Sequence, residues 1–273
     1  MKIQKKLGFI SCIAFIVIIF SILYTIFVSP TKIALINFQD FQVAKMVRSS
    51  ENAFVKVRPV GVNEIFRIKK YDAVLVFGMG LRVTAEERAI LQRFADKGVP
   101  VYSYAVTSPE NDISNLDSVQ GGTIEAYLEN GGTTNYRSLF NYIRKELCGK
   151  SLFTGDVNPV KPISSDCLFH VGEDLSLASV SEYEAYLRQQ GLYQAGQRKI
   201  ALLTGIAGPF NTNTEHLDSL IIAFQNRGYR MYPVASFSKR LDFLREIEPD
   251  AVIYLPHGRL AMGQGDRAVY WLQ

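Results

Sequence analysis

The chain has 273 residues, of which 48% are apolar and 21% charged, a composition that suits a folded globular protein with a sizeable core. Its net charge of +4 comes from 30 basic and 26 acidic residues. Lys2, Lys5 and Lys6 precede the first apolar segment, so the remainder is near neutral and gives no case for nucleic-acid binding.

The first element is an anchor. No charged residue occurs from Leu7 to Thr31, and the core of this stretch, residues 7–28, is 22 residues long. At about 1.5 Å per residue it spans roughly 33 Å, matching a hydrocarbon layer of about 30 Å. A cleaved signal peptide would carry a shorter apolar region ending in small residues, whereas here the exit reads Phe27-Val28-Ser29-Pro30. The expectation is one uncleaved transmembrane helix over residues 7–28, with residues 1–6 as a cytoplasmic tail. The three lysines then place the body outside the inner (cytoplasmic) membrane, in the periplasm of a bacterium.

Beyond the anchor, strand and helix signals alternate. Lys32–Phe38 reads as a buried strand, Asp40–Ser50 as a helix, Phe54–Val57 as a short strand and Val62–Lys70 as a short helix. Asp72–Phe77 is a continuous apolar run of the parallel-sheet kind, ending in Gly78-Met79-Gly80. Thr84 and Glu87 form a capping-box signal for a helix to about Lys97, Gly98 stops it, and Val99–Ala105 returns as a strand. Two glycine-punctuated helices follow, ending near Leu147. Residues 149–166, rich in proline and serine, read as a linker. A helix over Ser179–Gln190 precedes a second series: strand Lys199–Thr204, helix Thr214–Arg227, strand Tyr229–Val234, helix Lys239–Glu246 and strand Asp250–Leu255. The fold class is therefore α/β, Rossmann-like parallel-sheet units after one N-terminal transmembrane helix. The expected domains are residues 32–148, a linker and helix over 149–197, and a second α/β domain over 198–273.

The two halves echo each other. Asp72–Gly80 aligns with Asp250–Gly258 at a constant offset of 178 residues, each a buried strand ending in a turn with glycine. The echo reflects either duplication or the ordinary likeness of α/β units. On the same offset the last helix stops short of its next strand, so the chain is expected to be a fragment of a longer protein.

No motif is strong by itself. Gly78-Met79-Gly80 is only part of a glycine-rich loop, and neither a Walker GxxxxGK[ST] nor a GxSxG occurs, so no direct ATP site and no catalytic triad are expected. Cys148 and Cys167 lack CxxC spacing; a disulfide between them and two free thiols are both open. Among the histidines, His170 and His216 are expected to be structural. His257, in Pro256-His257-Gly258-Arg259, follows a strand end, where ligands bind in open α/β sheets. A neutral imidazole there could ligate a metal and Arg259 could pair with a carboxylate. Asn213, in the loop Gly208–Thr214 before a helix, could cap that helix or donate to an anion. His257, Arg259 and Asn213 are the candidate substrate contacts; no catalytic residue and no resident metal site is assigned.

Several segments over residues 71–273 carry a family resemblance. They are Tyr71–Gly80, the stretch YLENGGTTNYRSLFNYI, the run CLFH ending at His170, and KIALLTGIAGPFNTNTEHLDSLIIAFQNRGYRMYPV. Together they resemble the large subunit of cobaltochelatase and the related magnesium-chelatase large subunit. Phe169, where such proteins tend to have tyrosine, and the loop at 208–213 depart from the pattern. The resemblance implies a tetrapyrrole as partner, a corrin precursor or heme, and cobalt or iron as the metal transferred. It also implies separate ATPase subunits where the body is cytoplasmic. With an anchor, it implies three readings: metal insertion of the cobaltochelatase type, removal of iron from heme in an uptake system, or a tetrapyrrole carrier without metal transfer.

Overall fold

A computed structural model describes residues 14–172, 175–204, 214–255, 260 and 265–272. Contacts divide them between two units, the first within Met1–Glu129 and Thr134–Val160, the second within Asn130–Thr133 and Lys161–Gln273.

The first unit opens with α1, residues 14–23, prolonged by a π-wound turn at Tyr24–Val28. Its side chains are exposed and, apart from Ser21, apolar, with Phe15 at 63% and Phe20 at 69%. The expected span of residues 7–28 is not seen as one long helix: residues 7–13 lie outside the described residues. No described helix is long and apolar enough to cross a membrane.

Four parallel strands follow, β1 (Thr31–Ile36), β2 (Val55–Val60), β3 (Ala73–Phe77) and β4 (Val101–Tyr104), in the order β2-β1-β3-β4. Both faces of the sheet's centre are covered, which is why Ile33–Ile36 and β3 are continuously apolar, while the edge strand β2 alternates and exposes Lys56 and Arg58. Along β1 the period of two sends Ile33 and Leu35 into a core with Met46 of α2 (Asp40–Ser49), Leu128 of α4 (Ser118–Asn130) and Phe140 of α5 (Gly132–Tyr142). Ala34 and Ile36 point the other way, onto Ile65 and Ile68 of a 3-10 helix (Val62–Lys70) and Leu91 of α3 (Ala85–Asp96). Each such aliphatic side chain contributes about 1.5–3 kcal/mol on burial.

Strand ends shift by one or two residues from the sequence expectation, β1 stopping at Ile36 rather than Phe38, and two strands differ more. β2 runs on through Pro59 to Val60, because it is an edge strand and a missing N–H on its free side costs no ladder bond. β4 is shorter at both ends: Pro100 precedes it, and Ala105 takes a left-handed φ of 53° that turns the chain out of the sheet.

The first unit is closed by Arg144, which lies in the π-wound turn Ile143–Leu147 and is fully buried. Its Nη1 donates to Ser29 O (2.9 Å), Thr31 Oγ1 (3.0 Å) and Phe54 O (3.1 Å). Its Nη2 donates to Val28 O (3.2 Å) and Leu152 O (2.8 Å), and its Nε to Thr154 Oγ1 (3.0 Å). One guanidinium thus holds the end of the α1 segment, the starts of β1 and β2, and the turn after residue 150.

The second unit contains β5 (Cys167–Leu168), α6 (Val180–Gln189), β6 (Lys199–Thr204), α7 (Glu215–Gln225), β7 (Arg230–Ala235), α8 (Arg240–Ile247), β8 (Ala251–Tyr254) and α9 (Gly265–Leu272). The sheet order is β5-β7-β6-β8, with β6, β7 and β8 parallel and β5 antiparallel to β7. Ala201 and Leu203 of β6 face α6 and α8, while Ile200 and Leu202 face α7. Cys148 and Cys167 are free thiols, both pushed up to about 12 by burial.

The sequence echo has a structural counterpart. β2-β1-β3 and β7-β6-β8 share strand order and direction. The expected burial holds for β3 but not for β8, which lies at the edge of its sheet with Val252 and Tyr254 exposed. In the first unit the Lys32 N–H donates to Asp72 Oδ2 (2.8 Å) and the Asp72 N–H to Lys32 O (2.8 Å). In the second, the Lys199 N–H donates to Asp250 Oδ2 (2.7 Å) and the Asp250 N–H to Lys199 O (2.9 Å). The aligned aspartates therefore make the same clip at the start of the same strand pair.

Replacing Arg144 with Met strands several buried oxygens and should destabilise the first unit by about 3–5 kcal/mol. The same change at the exposed Arg67, which pairs with Glu64 on the 3-10 helix, should cost no more than about 1 kcal/mol. Urea unfolding of the two variants checks the contrast; equal losses would show that the Arg144 network adds nothing beyond a surface pair.

Candidate functional site

In a doubly wound parallel sheet the ligand crevice lies beyond the carboxyl ends of two adjacent strands whose connections leave to opposite sides. In the first unit these are β1 and β3, with α2 packed on one face and the 3-10 helix on the other. That crevice is filled by the protein itself. Asn37, at a φ of 60°, donates through Nδ2 to Phe77 O (2.7 Å) and Met79 O (3.2 Å). The Phe38, Phe77 and Tyr104 rings pack over it, with centroids 5.7 and 5.9 Å apart. Gly78 is required here, since a Cβ would come within 2.8 Å of the Val106 Cα. Beside it, a cavity of about 410 Å³ opens between the loops after β3 and β4, lined by Arg82, Arg88, Glu110 and Asn111 among others.

In the second unit the equivalent pair is β6 and β8, with α7 and α8 on opposite faces. The carboxyl edge there is polar. Thr204 Oγ1 donates to Val234 O at 3.0 Å. Ser236 Oγ donates to Asp166 Oδ1 (2.5 Å), Ser238 Oγ to Asp166 Oδ2 (2.9 Å), and the Lys239 N–H to Ser236 Oγ (2.9 Å). Burial alone would raise the Asp166 carboxyl, but the hydrogen bonds from Ser236, Ser238 and the nearby backbone outweigh it and hold the pKa below the ordinary range. Arg240, at the first turn of α8, is 3% exposed. It donates through Nε to Ser236 O (2.8 Å) and through Nη1 to Tyr254 Oη (3.3 Å), linking the ends of β7 and β8.

The three sequence candidates belong to the loops of this edge. Asn213 follows β6 and precedes α7, and His257 and Arg259 follow β8. All three lie outside the described residues. What the fold brings together is the pair of strand ends from which their loops depart, with Leu203 in register with Tyr254. Thr214, at the N-cap of α7, makes no side-chain cap bond, so the capping expected of this loop is not made by its last residue.

His170 is 6% exposed and lies between Tyr186 and Tyr183, with ring centroids 5.4 and 6.1 Å away. Its Nε2 is 2.7 Å from the Gln225 amide nitrogen and so accepts from it, which fixes the neutral tautomer. Burial lowers its pKa, and a hydrogen bond with the Val171 backbone only partly opposes this. His216 is exposed in the first turn of α7. Among the described residues no group of three or more His, Cys, Asp or Glu side chains could hold a metal.

The family model described as CobN/magnesium chelatase matches residues 125–271, more than half of the chain. The chain belongs to the CobN/magnesium chelatase family. A solved structure, the catalytic subunit of cobaltochelatase from Mycobacterium tuberculosis, is similar over 82% of this chain at 19% identity and a TM-score of 0.55. At that identity the likeness establishes the fold. This CobN-family chain spans 18% of the length of that subunit. No curated protein sequence matches it. The matched region takes in the whole of the second sheet, including its polar carboxyl edge.

Arg240, Ser236 and Tyr254 were not legible as edge residues from the sequence. The available signal was their position: each stands at or just after the end of a strand in a restarted α/β pattern.

The buried neutral His170 gives a signed pH dependence. Its folded pKa lies below the ordinary 6.5, so the unfolded chain takes up a proton first as pH falls. Stability should therefore drop as pH falls through 6.5, and His170→Asn should flatten that part of the profile. Thermal melts between neutral and mildly acidic pH measure both; an unaltered slope in the variant would assign the dependence to other groups.

Proposed function

We propose that this CobN/magnesium-chelatase-family chain acts in metal transfer to or from a tetrapyrrole, and that the carboxyl edge of its second sheet contributes macrocycle contacts. The observation that carries the reading is the coincidence of the family match with the crevice at β6 and β8, the place where doubly wound sheets bind their ligands. His257 would meet the metal or the macrocycle through an imidazole nitrogen, and Arg259 would pair with a peripheral carboxylate. Asn213, ahead of α7, would donate to a second anionic group near the helix start. Arg240 and Ser236 would set the ends of β7 and β8 from which these contacts are presented. Cobalt insertion into a corrin precursor is the general form of such a reaction, with ATP consumed on separate subunits.

A second reading is favoured by the amino-terminal segment. Its uncharged apolar stretch over residues 7–28, and the exposed apolar side chains of α1, support anchoring in the cytoplasmic membrane with the body outside. Outside that membrane no ATP is at hand, which favours removal of iron from heme over metal insertion. A carrier that binds without transferring metal is distinguished by product: it would release neither metal nor free macrocycle.

Binding is measured on the full-length protein by titrating heme and metal-free porphyrin and following the absorbance of the macrocycle. His257→Ala should weaken binding about tenfold, or ~1.4 kcal/mol. Arg259→Met should weaken binding of the free acid but not of the methyl ester. Affinities equal to the parent's in both variants would remove this edge from the site. For topology, protease added outside the cytoplasmic membrane should digest the body of the chain; a protected body would place it inside and restore the ATP-driven reading.

A further inference from the structure

We infer that the first unit carries an anionic-lipid binding groove on the edge where α1 enters it, so that the body lies down on the bilayer that residues 7–28 span. The inference rests on that anchored reading. The groove, of about 310 Å³, lies between the 3-10 helix Val62–Lys70 and α3. Its apolar part is formed by Phe66, Ile90 and Phe94, and its rim by Lys69, Arg93 and Lys97. Phe66 is 57% exposed. The three rim cations are exposed, and none makes an ion pair with a described carboxylate. Arg93 donates only to the Ala89 carbonyl of its own helix, and Asp96, the nearest acid in sequence, accepts from Gln92. No acidic side chain lines the groove.

Its position supplies the second argument. The strands of this unit are parallel, so their amino ends share one edge. The α1 segment joins β1 at that edge, through Ser29 and Pro30. The 3-10 helix ends at Lys70, just before β3, and α3 ends at Asp96, just before β4. Lys69, Arg93 and Lys97 therefore stand toward the edge where the apolar helix arrives. Side chains such as Phe15 and Phe20 require hydrocarbon, and three neighbouring cations require anions. A bilayer containing anionic phospholipid satisfies both: headgroup phosphates meet the rim, and the glycerol and upper acyl region meets Phe66.

The test uses the full chain with Phe66→Trp in a Trp271→Phe background, reconstituted into vesicles with brominated acyl chains. Flotation is measured first, then quenching of the introduced indole, in phosphatidylglycerol-rich and in phosphatidylcholine vesicles. The expected result is flotation on both, quenching only on the anionic vesicles, and loss of quenching with flotation retained in K69E/R93E/K97E. A chain that floats but whose indole is unquenched on anionic vesicles overturns the groove and leaves the anchor standing. Equal quenching on neutral vesicles, or in the charge-reversed variant, overturns lipid-charge recognition. A chain that floats on neither overturns the anchor and the groove with it. An unquenched indole whose emission shifts with soluble polyglutamate would make the occupant an acidic polypeptide and overturn the lipid assignment. Hydrogen exchange on the unaltered chain gives a readout independent of substitution: residues 62–70 should be protected on anionic relative to neutral vesicles, and identical exchange overturns the inference.

Discussion

The first unit depends on one buried cation. Among the described residues Arg144 makes no ion pair; its guanidinium donates to four backbone carbonyls and two hydroxyls, and the Asp72 carboxylate nearby favours its charge. A fully buried charge is costly unless its donors are all engaged, and the planar fork of arginine engages acceptors from several directions at once. The carbonyls of Val28 and Ser29 belong to the carboxyl end of the apolar segment, where a positive charge is favoured by the helix dipole. The same group therefore fixes where the apolar segment stops and where the first strand begins. Lys150 reinforces the junction, with Nζ 3.2 Å from Ser29 Oγ and 3.3 Å from Asp72 Oδ1.

The second constraint is repeated. Asp72 and Asp250 each clip the strand before the crevice to the strand after it, through a side-chain and a main-chain bond to Lys32 and Lys199. Both clips lie at the amino ends of the strands and leave the carboxyl ends free to diverge. In the first unit that freedom is used up by Asn37, Phe38 and Phe77, which close the crevice with the protein's own atoms. In the second unit the edge keeps Thr204, Ser236, Arg240 and Tyr254 around the strand ends. Two units that share the strand order of their three parallel strands thus differ, among the described residues, in what stands at the carboxyl ends of the central pair.

Much of the fold was legible because the pattern of side chains reports burial directly. Continuous apolar runs such as those of β3 and β6 arise where both faces of a parallel sheet are covered. The capping box at Thr84 and Glu87 forms as its residues suggest, with the Thr84 N–H donating to Glu87 Oε2 and the Glu87 N–H to Thr84 Oγ1. Ser179 caps α6 by accepting from the Glu182 N–H, while the Glu182 carboxylate accepts from the Ala178 N–H. Other features left no local trace. Arg144 precedes Lys145, and nothing in the sequence separates the fully buried cation from its exposed neighbour. The antiparallel strand at Cys167–Leu168 is too short to carry a period.

By itself the sequence determined the α/β alternation, the apolar amino-terminal segment, the echo between the halves and the membership in the chelatase family, since each is a property of residues near one another along the chain. The tertiary structure decided which strands are neighbours, that one crevice is plugged and the other edge polar, and that Arg144 and the aspartate clips bear on the strand starts. Those features join residues as far apart as Val28 and Arg144 or Lys199 and Asp250, and hydrogen bonds of that span exist only once the sheet order has brought their partners together.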